Sequence, residues 1–252
     1  LLLDGGVGQS CRTLVTDGLV ESLREVKDEF ELRLMKKAAR IADKAFKKVL
    51  GEIQEGMTEI QLSHTIRDAL EHFGGQKLSF DTIALFGSNT SLIHGQPGRS
   101  RLKKGQLILM DFGTTYKGYC SDMTRTVAFG EPGKEIRRAC RAVKQAQKIG
   151  RQKVKAGVKC ADVDAAARSH LDSLGYGEEF SHSTGHCLGL EIHENPRLSH
   201  NSRSTLRAGS VVTVEPGVYL PGRFGIRIED MVHVTKEGPE LLSHSPRQLM
   251  IL

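Results

Sequence analysis

Residues 102–111, LKKGQLILMD, lie without a gap on residues 206–215, LRAGSVVTVE. Each copy reads L-x-x-G, then an apolar strand, then a carboxylate, so the two halves of the chain deliver Asp111 and Glu215 from equivalent strand ends. Upstream, EGMTEIQL at 55–62 lies on AGVKCADV at 156–163, each placing a glycine and an apolar residue ahead of a helix. Each half carries another acid on its next strand, Asp122 in GYCSDMTRT and Glu229 in GIRIED. The repeat predicts an α+β fold of two pseudo-symmetric helix-helix-strand-strand halves, with the four carboxylates meeting where the strands converge.

Local signals fill in the frame. A short strand-like start with a turn at Gly5 and Gly6 leads to a helix over roughly 28–50, where Asp28 and Glu31 have capping-box spacing ahead of apolar residues at helical intervals. A second helix starts near Thr58, with Gln61 completing another capping box, and ends at Gly74 and Gly75. The strands SFDTIALFG, LILMDFG and GYCSDMTRTVAFG follow, and helices over roughly 134–155 and 161–174 open the second half. The net charge of +6 gathers between Lys134 and Lys155, and without interleaved aromatics this reads as a solvated helix flank, not a nucleic-acid face. Five cysteines without a CxxC pair point to a reducing, cytoplasmic setting, and no apolar run is long enough to span a membrane.

Four carboxylates within a few ångströms cannot all stay ionised without cations. Hard divalent metals resolve the repulsion, and an added imidazole favours manganese, cobalt, iron or zinc. STGHCLGLEIHENP supplies imidazoles in His186, flanked by Gly185 and Gly189, and in His193. Four acids and one histidine suffice for two metals at about 3.5–4 Å, the spacing of dinuclear hydrolases. Competing motifs fall away: the DFG at 111–113 has no HRD loop with it, Gly6-Val7-Gly8 does not continue as a Rossmann fingerprint, HENPR is not HExxH, and there is no GxSxG elbow.

DFGTTYKGYCSDMTRT, TGHCLGLEIHE, TVEPGVYLPG and GIRIED resemble the signature segments of the pita-bread metallopeptidases, which include methionine aminopeptidases, aminopeptidase P and prolidase. The resemblance runs from about Leu23 to Leu252 and implies a curved antiparallel sheet and five metal ligands in order: Asp111, Asp122, His186, Glu215 and Glu229. In that pattern Asp122 and Glu229 bridge two divalent metals, manganese foremost, Asp111 chelates one, and His186 with Glu215 completes the other. His182 and Arg227 are similar to the proline-peptidase branch and set the chain apart from methionine aminopeptidases.

The resemblance therefore implies hydrolysis of the Xaa-Pro bond at the N-terminus of short peptides or dipeptides. Glu215 would shuttle the proton, His182 would donate to the developing oxyanion, His94 and His193 would position the residue after the scissile bond, and Arg227 would orient Glu229 and the neighbouring acid. Arg197 and Arg203 are candidates for holding a dipeptide carboxylate. Residues 1–22 are expected to be the remnant of an N-terminal domain or a linker, and 23–252 the catalytic domain. Short proline-containing peptides are the expected partners, with homodimerisation compatible and no nucleic acid or membrane. A non-catalytic binding or chaperone module on the same fold is the competing reading, and retention of all five ligand positions counts against it.

Overall fold

The computed structural model of the chain describes residue 16 and residues 18–252. The expected turn at Gly5 and Gly6 lies outside the described residues.

A short helix, α1 (Leu19–Glu25), with no buried side chain, precedes α2 (Glu29–Leu50). The capping box at the start of α2 is formed: the Asp28 carboxylate accepts from the Glu31 N–H and the Glu31 carboxylate accepts from the Asp28 N–H, both at 2.8 Å. Its buried stripe runs Met35, Ala38, Ala42, Ala45, Phe46 and Val49, the spacing of one helical face. The helix α3 (Glu59–His72) starts from the equivalent box of Thr58 and Gln61. Strands β1 (Lys77–Leu78), β2 (Ile83–Phe86), β3 (Gln106–Phe112), β4 (Thr114–Tyr116), β5 (Tyr119–Cys120) and β6 (Met123–Phe129) complete the first half. The second half repeats the plan with α4 (Lys134–Lys153), α5 (Cys160–Ser173), β7 (Gly185–Cys187), β8 (Glu194–Leu198), β9 (Val211–Val214), β10 (Gly217–Leu220), β11 (Phe224–Arg227), β12 (Asp230–Val234) and β13 (Pro239–Leu241).

The repeat has a hydrogen-bonded counterpart. Gly56 donates to Leu102 O and Gly157 donates to Leu206 O, both at 2.9 Å, while the Leu102 and Leu206 N–H groups return bonds to Met57 O and Val158 O at 2.8 and 2.9 Å. Gly56 and Gly157 sit at φ 83° and 86°, a left-handed conformation open to glycine at no steric cost. The same short contact thus anchors the start of the second helix in each half to the strand that delivers an acid.

The strands pair antiparallel throughout, in the orders β2-β3-β6 and β13-β12-β9-β7-β8, with β3 and β9 as equivalent inner strands. Two smaller sheets, β1-β4-β5 and β10-β11, complete the antiparallel arrangement expected from the sequence, and the halves meet where the Glu229 N–H donates to Thr124 O at 3.1 Å. On β3, Ile108, Met110 and Phe112 enter the core beneath α2 and α3 with Phe46, Leu62 and Ile66. Strand alternation turns Asp111 to the other face.

GYCSDMTRTVAFG is not one strand. It breaks at Ser121 and Asp122, so Asp122 lies between β5 and β6, not within a strand. A Cβ on Gly113 would fall 1.8 Å from Ser121 O, so the chains pass too closely there for any side chain. Ser121 Oγ accepts from the Thr114 N–H at 3.0 Å, and the Asp122 N–H leaves the ladder to meet Met231 Sδ at 3.4 Å. The basic segment between Lys134 and Lys155 forms the outer face of α4, with Arg138, Arg141, Lys144 and Lys148 exposed. No helix among the described residues is long and apolar enough to cross a membrane.

Candidate active site

Five strand ends bring the predicted acids and histidine together. Asp111 projects from β3, His186 from β7, and Asp122, Glu215 and Glu229 occupy the breaks before β6, after β9 and before β12. Asp122, His186 and Glu229 present ligand atoms that all lie within 4.8 Å of one another. His186 Nε2 stands 3.6 Å from Asp122 Oδ2 and 3.4 Å from Glu215 Oε1. All five line one cavity of about 1020 Å³, together with His94, His182, His193, Arg197 and Arg227; Arg203 is not among its walls.

The electrostatics call for a cation. Burial, reinforced by Asp111, holds the Asp122 carboxyl well above the usual range, and burial with Asp122 alongside does the same to Glu229. Burial pushes Glu215 up to about 7. It pushes His186 down to about 4, so the imidazole is neutral. His186 Nδ1 lies 2.9 Å from Cys187 O and must donate to it, which leaves the Nε2 lone pair facing the oxygens of Asp122 and Glu215. A lone pair aimed at carboxylates is an arrangement of acceptors that a divalent ion between them satisfies. Asp111 Oδ1 is likewise buried without a hydrogen-bond partner. The donor set, oxygens with one imidazole nitrogen, fits divalent manganese, cobalt, iron or zinc.

Around these ligand positions runs a polar network. Arg227 donates from Nη2 to Asp111 Oδ2 at 2.6 Å, from Nε to Thr124 Oγ1 at 3.0 Å and from Nη1 to the Tyr219 hydroxyl at 2.6 Å. Thr124 Oγ1 in turn donates to Glu229 Oε2 at 2.8 Å. Arg227 therefore grips Asp111 directly and reaches Glu229, the acid it was expected to orient, only through Thr124. Thr213 Oγ1 accepts from the His186 N–H and donates to Glu215 Oε1, both at 3.0 Å.

His182 differs most from expectation. Its Nδ1 lies 2.8 Å from Ser183 O and its Nε2 3.0 Å from the Tyr219 hydroxyl. Burial, aided by Arg227, pushes this ring down to about 3, so it is neutral. With the proton on Nδ1, Nε2 accepts from Tyr219, which itself accepts from Arg227. In this arrangement the ring holds Tyr219 and directs no N–H into the cavity, in contrast to the oxyanion donor expected. His94 and His193 are exposed at the cavity, the latter with its ring centroid 4.5 Å from that of His186.

The residues missed from sequence are Thr124, Thr213 and Tyr219. A signal existed in their proximity: Thr124 is two residues from Asp122, Thr213 two from Glu215 and Tyr219 four, each on a strand adjoining the break that holds the acid.

Metallopeptidase family M24 matches residues 33–236 of this chain. The chain belongs to this family. A Bacillus subtilis (strain 168) protein described as an uncharacterized peptidase is 42% identical over 233 residues, covering 92% of this chain and 66% of its own length. The chain thus spans a little under two thirds of that curated relative. Among solved structures, a Xaa-Pro dipeptidase from Bacillus anthracis is 44% identical with a TM-score of 0.93, the match covering 94% of this chain and 67% of that one. An X-Pro aminopeptidase from Thermotoga maritima MSB8 is 39% identical at a TM-score of 0.92, covering 94% and 67%. A prolidase from Pyrococcus furiosus is 37% identical at 0.89, covering 91% and 68%.

Proposed function

We propose that this chain hydrolyses the Xaa-Pro bond at the N-terminus of short peptides or dipeptides with the help of two divalent metal ions, manganese first among them, and that residues 23–252 are its catalytic unit. The observation that carries the reading is the neutral His186, whose Nε2 faces Asp122 and Glu215 at 3.6 and 3.4 Å in a cavity shared with Asp111 and Glu229. The solved Xaa-Pro dipeptidase, X-Pro aminopeptidase and prolidase relatives support the substrate class.

Asp111, Asp122, His186, Glu215 and Glu229 would hold the ions. When bound, such a pair supplies a water acidic enough to ionise near neutrality and a Lewis acid for the scissile carbonyl. Glu215, with one oxygen held by Thr213, carries the proton from the attacking water toward the leaving proline nitrogen. Arg227 fixes Asp111, and through Thr124 it fixes Glu229. His182 enters the reaction neutral, with Tyr219 held between it and Arg227. His94 and His193 contact the residue after the scissile bond. Arg197, on the cavity wall, offers a guanidinium to a free carboxylate, which favours dipeptides.

The test is turnover by metal-stripped, manganese-reloaded protein of Xaa-Pro dipeptides, Xaa-Pro-Yaa tripeptides and a peptide without proline at the second position. Proline-dependent cleavage is expected. Dipeptide-only cleavage identifies a dipeptidase and tripeptide-only cleavage an aminopeptidase. Absence of turnover on every proline peptide, with metal bound, overturns the reading.

A further inference from the structure

Three fully buried carboxylates lie outside the ligand set; Asp230 is taken up by Arg125, Gln147 and Arg247, and the other two sit on equivalent helices. Glu59 opens α3 and is 1% exposed; Asp164 lies on α5, the equivalent helix of the other half, and is 0% exposed. Neither faces the cavity. A buried carboxylate is costly unless its oxygens are fully used, so the question is what each one holds.

Glu59 Oε1 accepts from the Phe86 N–H at 2.8 Å and from Asn89 Nδ2 at 2.9 Å, and Oε2 accepts from the Gly98 N–H at 2.9 Å. Phe86 ends β2, and Gly98 leads back toward β3. Between them runs the segment carrying His94, which with Ile93, Gly95 and Gln96 lines the cavity. One carboxylate therefore ties both ends of the His94 segment to the start of α3. Asp164 does the corresponding work in the second half. Its Oδ1 accepts from the Thr184 N–H at 3.1 Å and the Thr184 hydroxyl at 2.8 Å. Both its oxygens also receive Arg168, from Nη2 and Nε at 2.9 and 2.8 Å. Arg168 then donates to Phe180 O at 2.7 Å and His182 O at 2.8 Å. The segment from Phe180 to Thr184, with His182 at its centre, is held at both ends by this pair.

We propose that Glu59 and Asp164 are positioning residues, a matched pair of buried staples that set the His94 and His182 segments against the substrate. The inference rests on the peptidase reading above for what the two histidines do, but not for the staples themselves. Charge-assisted bonds to backbone N–H groups fix a loop firmly, and misplacement of a substrate-contacting group by about 1 Å is enough to cost rate. Because His94 meets the residue after the scissile bond, loosening its segment weakens substrate binding. Because His182 is tied through Tyr219 and Arg227 to Asp111, loosening its segment disturbs the reacting centre instead.

The substitutions E59Q and D164N keep the size of each side chain but replace one acceptor oxygen by an amide donor, which then faces an N–H group or a guanidinium. In manganese-loaded protein, E59Q is expected to raise KM for a Xaa-Pro substrate about 10-fold with kcat within about twofold, and D164N to lower kcat about 10-fold with KM nearly unchanged. Both should keep the wild-type manganese stoichiometry. Hydrogen–deuterium exchange gives a readout independent of turnover: E59Q should speed exchange across residues 87–98 and leave 180–184 protected, and D164N should do the reverse. If either variant fails to fold, Asn89→Ala and Thr184→Val each remove one donor and should shift the same parameters in the same directions by less. Unchanged kinetics in active variants, or exchange that does not rise in the stapled segment, overturns the proposal. If the wild-type protein cleaves no Xaa-Pro peptide, the peptidase reading fails and the exchange experiment alone decides the staples.

Discussion

Asp111 shows how one carboxylate is made to serve two partners. Arg227 takes Oδ2, and Oδ1 is left buried and unpartnered, so the side chain is oriented for a ligand it does not find among protein atoms. Asp122 has the opposite balance: burial and the neighbouring acids raise its pKa, so its ionised form depends on an added positive charge. Asp122→Ala is therefore expected to lower the manganese bound per chain and to reduce Xaa-Pro turnover at least about 100-fold, with circular dichroism unchanged. Elemental analysis after gel filtration measures the first effect, and retained dinuclear binding would refute the bridging role. Tyr219 gives a second prediction. Tyr219→Phe keeps the ring but removes the hydroxyl that accepts from Arg227 and donates to His182. A buried guanidinium N–H is left unpaired, at a cost of roughly 1–3 kcal/mol, visible as a lowered Tm. Turnover should fall about 10-fold without loss of metal, which separates the relay from the ligands.

The strands carry these side chains, and their spacing is as restrictive as their chemistry. Gly185 precedes His186 on β7, and a Cβ there would fall 2.0 Å from Thr213 O on β9. Gly185→Ala must push apart the two strands that Thr213 uses to join His186 to Glu215. The expected result is a loss of roughly 1–3 kcal/mol in stability, as in overpacked cores, with weakened manganese affinity. Gly51, at φ −78° with only Lys48 O nearby at 3.5 Å, is the control: Gly51→Ala should be neutral or stabilising by thermal melt. The helices were legible in the sequence because their signals are local. Asp28 with Glu31, and Thr58 with Gln61, are capping boxes complete within four residues. The four acids were legible through the repeat, which records the equivalence of strand ends, and His186 through its own glycine-flanked segment. The break at Asp122 was not, because its cause is distant: the N–H that leaves the ladder meets Met231, 109 residues away. The helix α1 was missed for another reason, since it buries no side chain and leaves no apolar period to read. His182 lines the cavity, but its acceptor state depends on Tyr219, whose role only the folded chain reveals.

The two halves together concentrate negative charge where they meet, and this should govern how the whole protein responds to pH. In the metal-free state, Asp122 and Glu229 are held well above the usual carboxylate range and Glu215 at about 7, each chiefly by burial. These acids bind more protons folded than unfolded, so their contribution to stability is lost as pH rises through the folded values. The buried imidazoles act with the opposite sign. His186, pushed down to about 4, and His182, to about 3, bind fewer protons folded than unfolded, so they favour the native state as pH rises toward 6.5, the ordinary histidine value. Below pH 6.5 the two effects oppose each other; above it the acids outlast the two imidazoles, with Glu215 titrating at about 7. The Tm of chelator-treated protein should accordingly fall between about pH 6.5 and 8, below the ordinary range of the thiols. Manganese replaces the protons, so its binding should strengthen over the same interval and restore more stability at pH 8 than at pH 6.5. At 100 times the dissociation constant the gain is about 2.7 kcal/mol. Thermal melts with and without manganese at both pH values measure this directly. A metal-free Tm that is flat or rising over the interval would show that the acids are not charged against one another, and with it the case for a metal pair at this junction would fall.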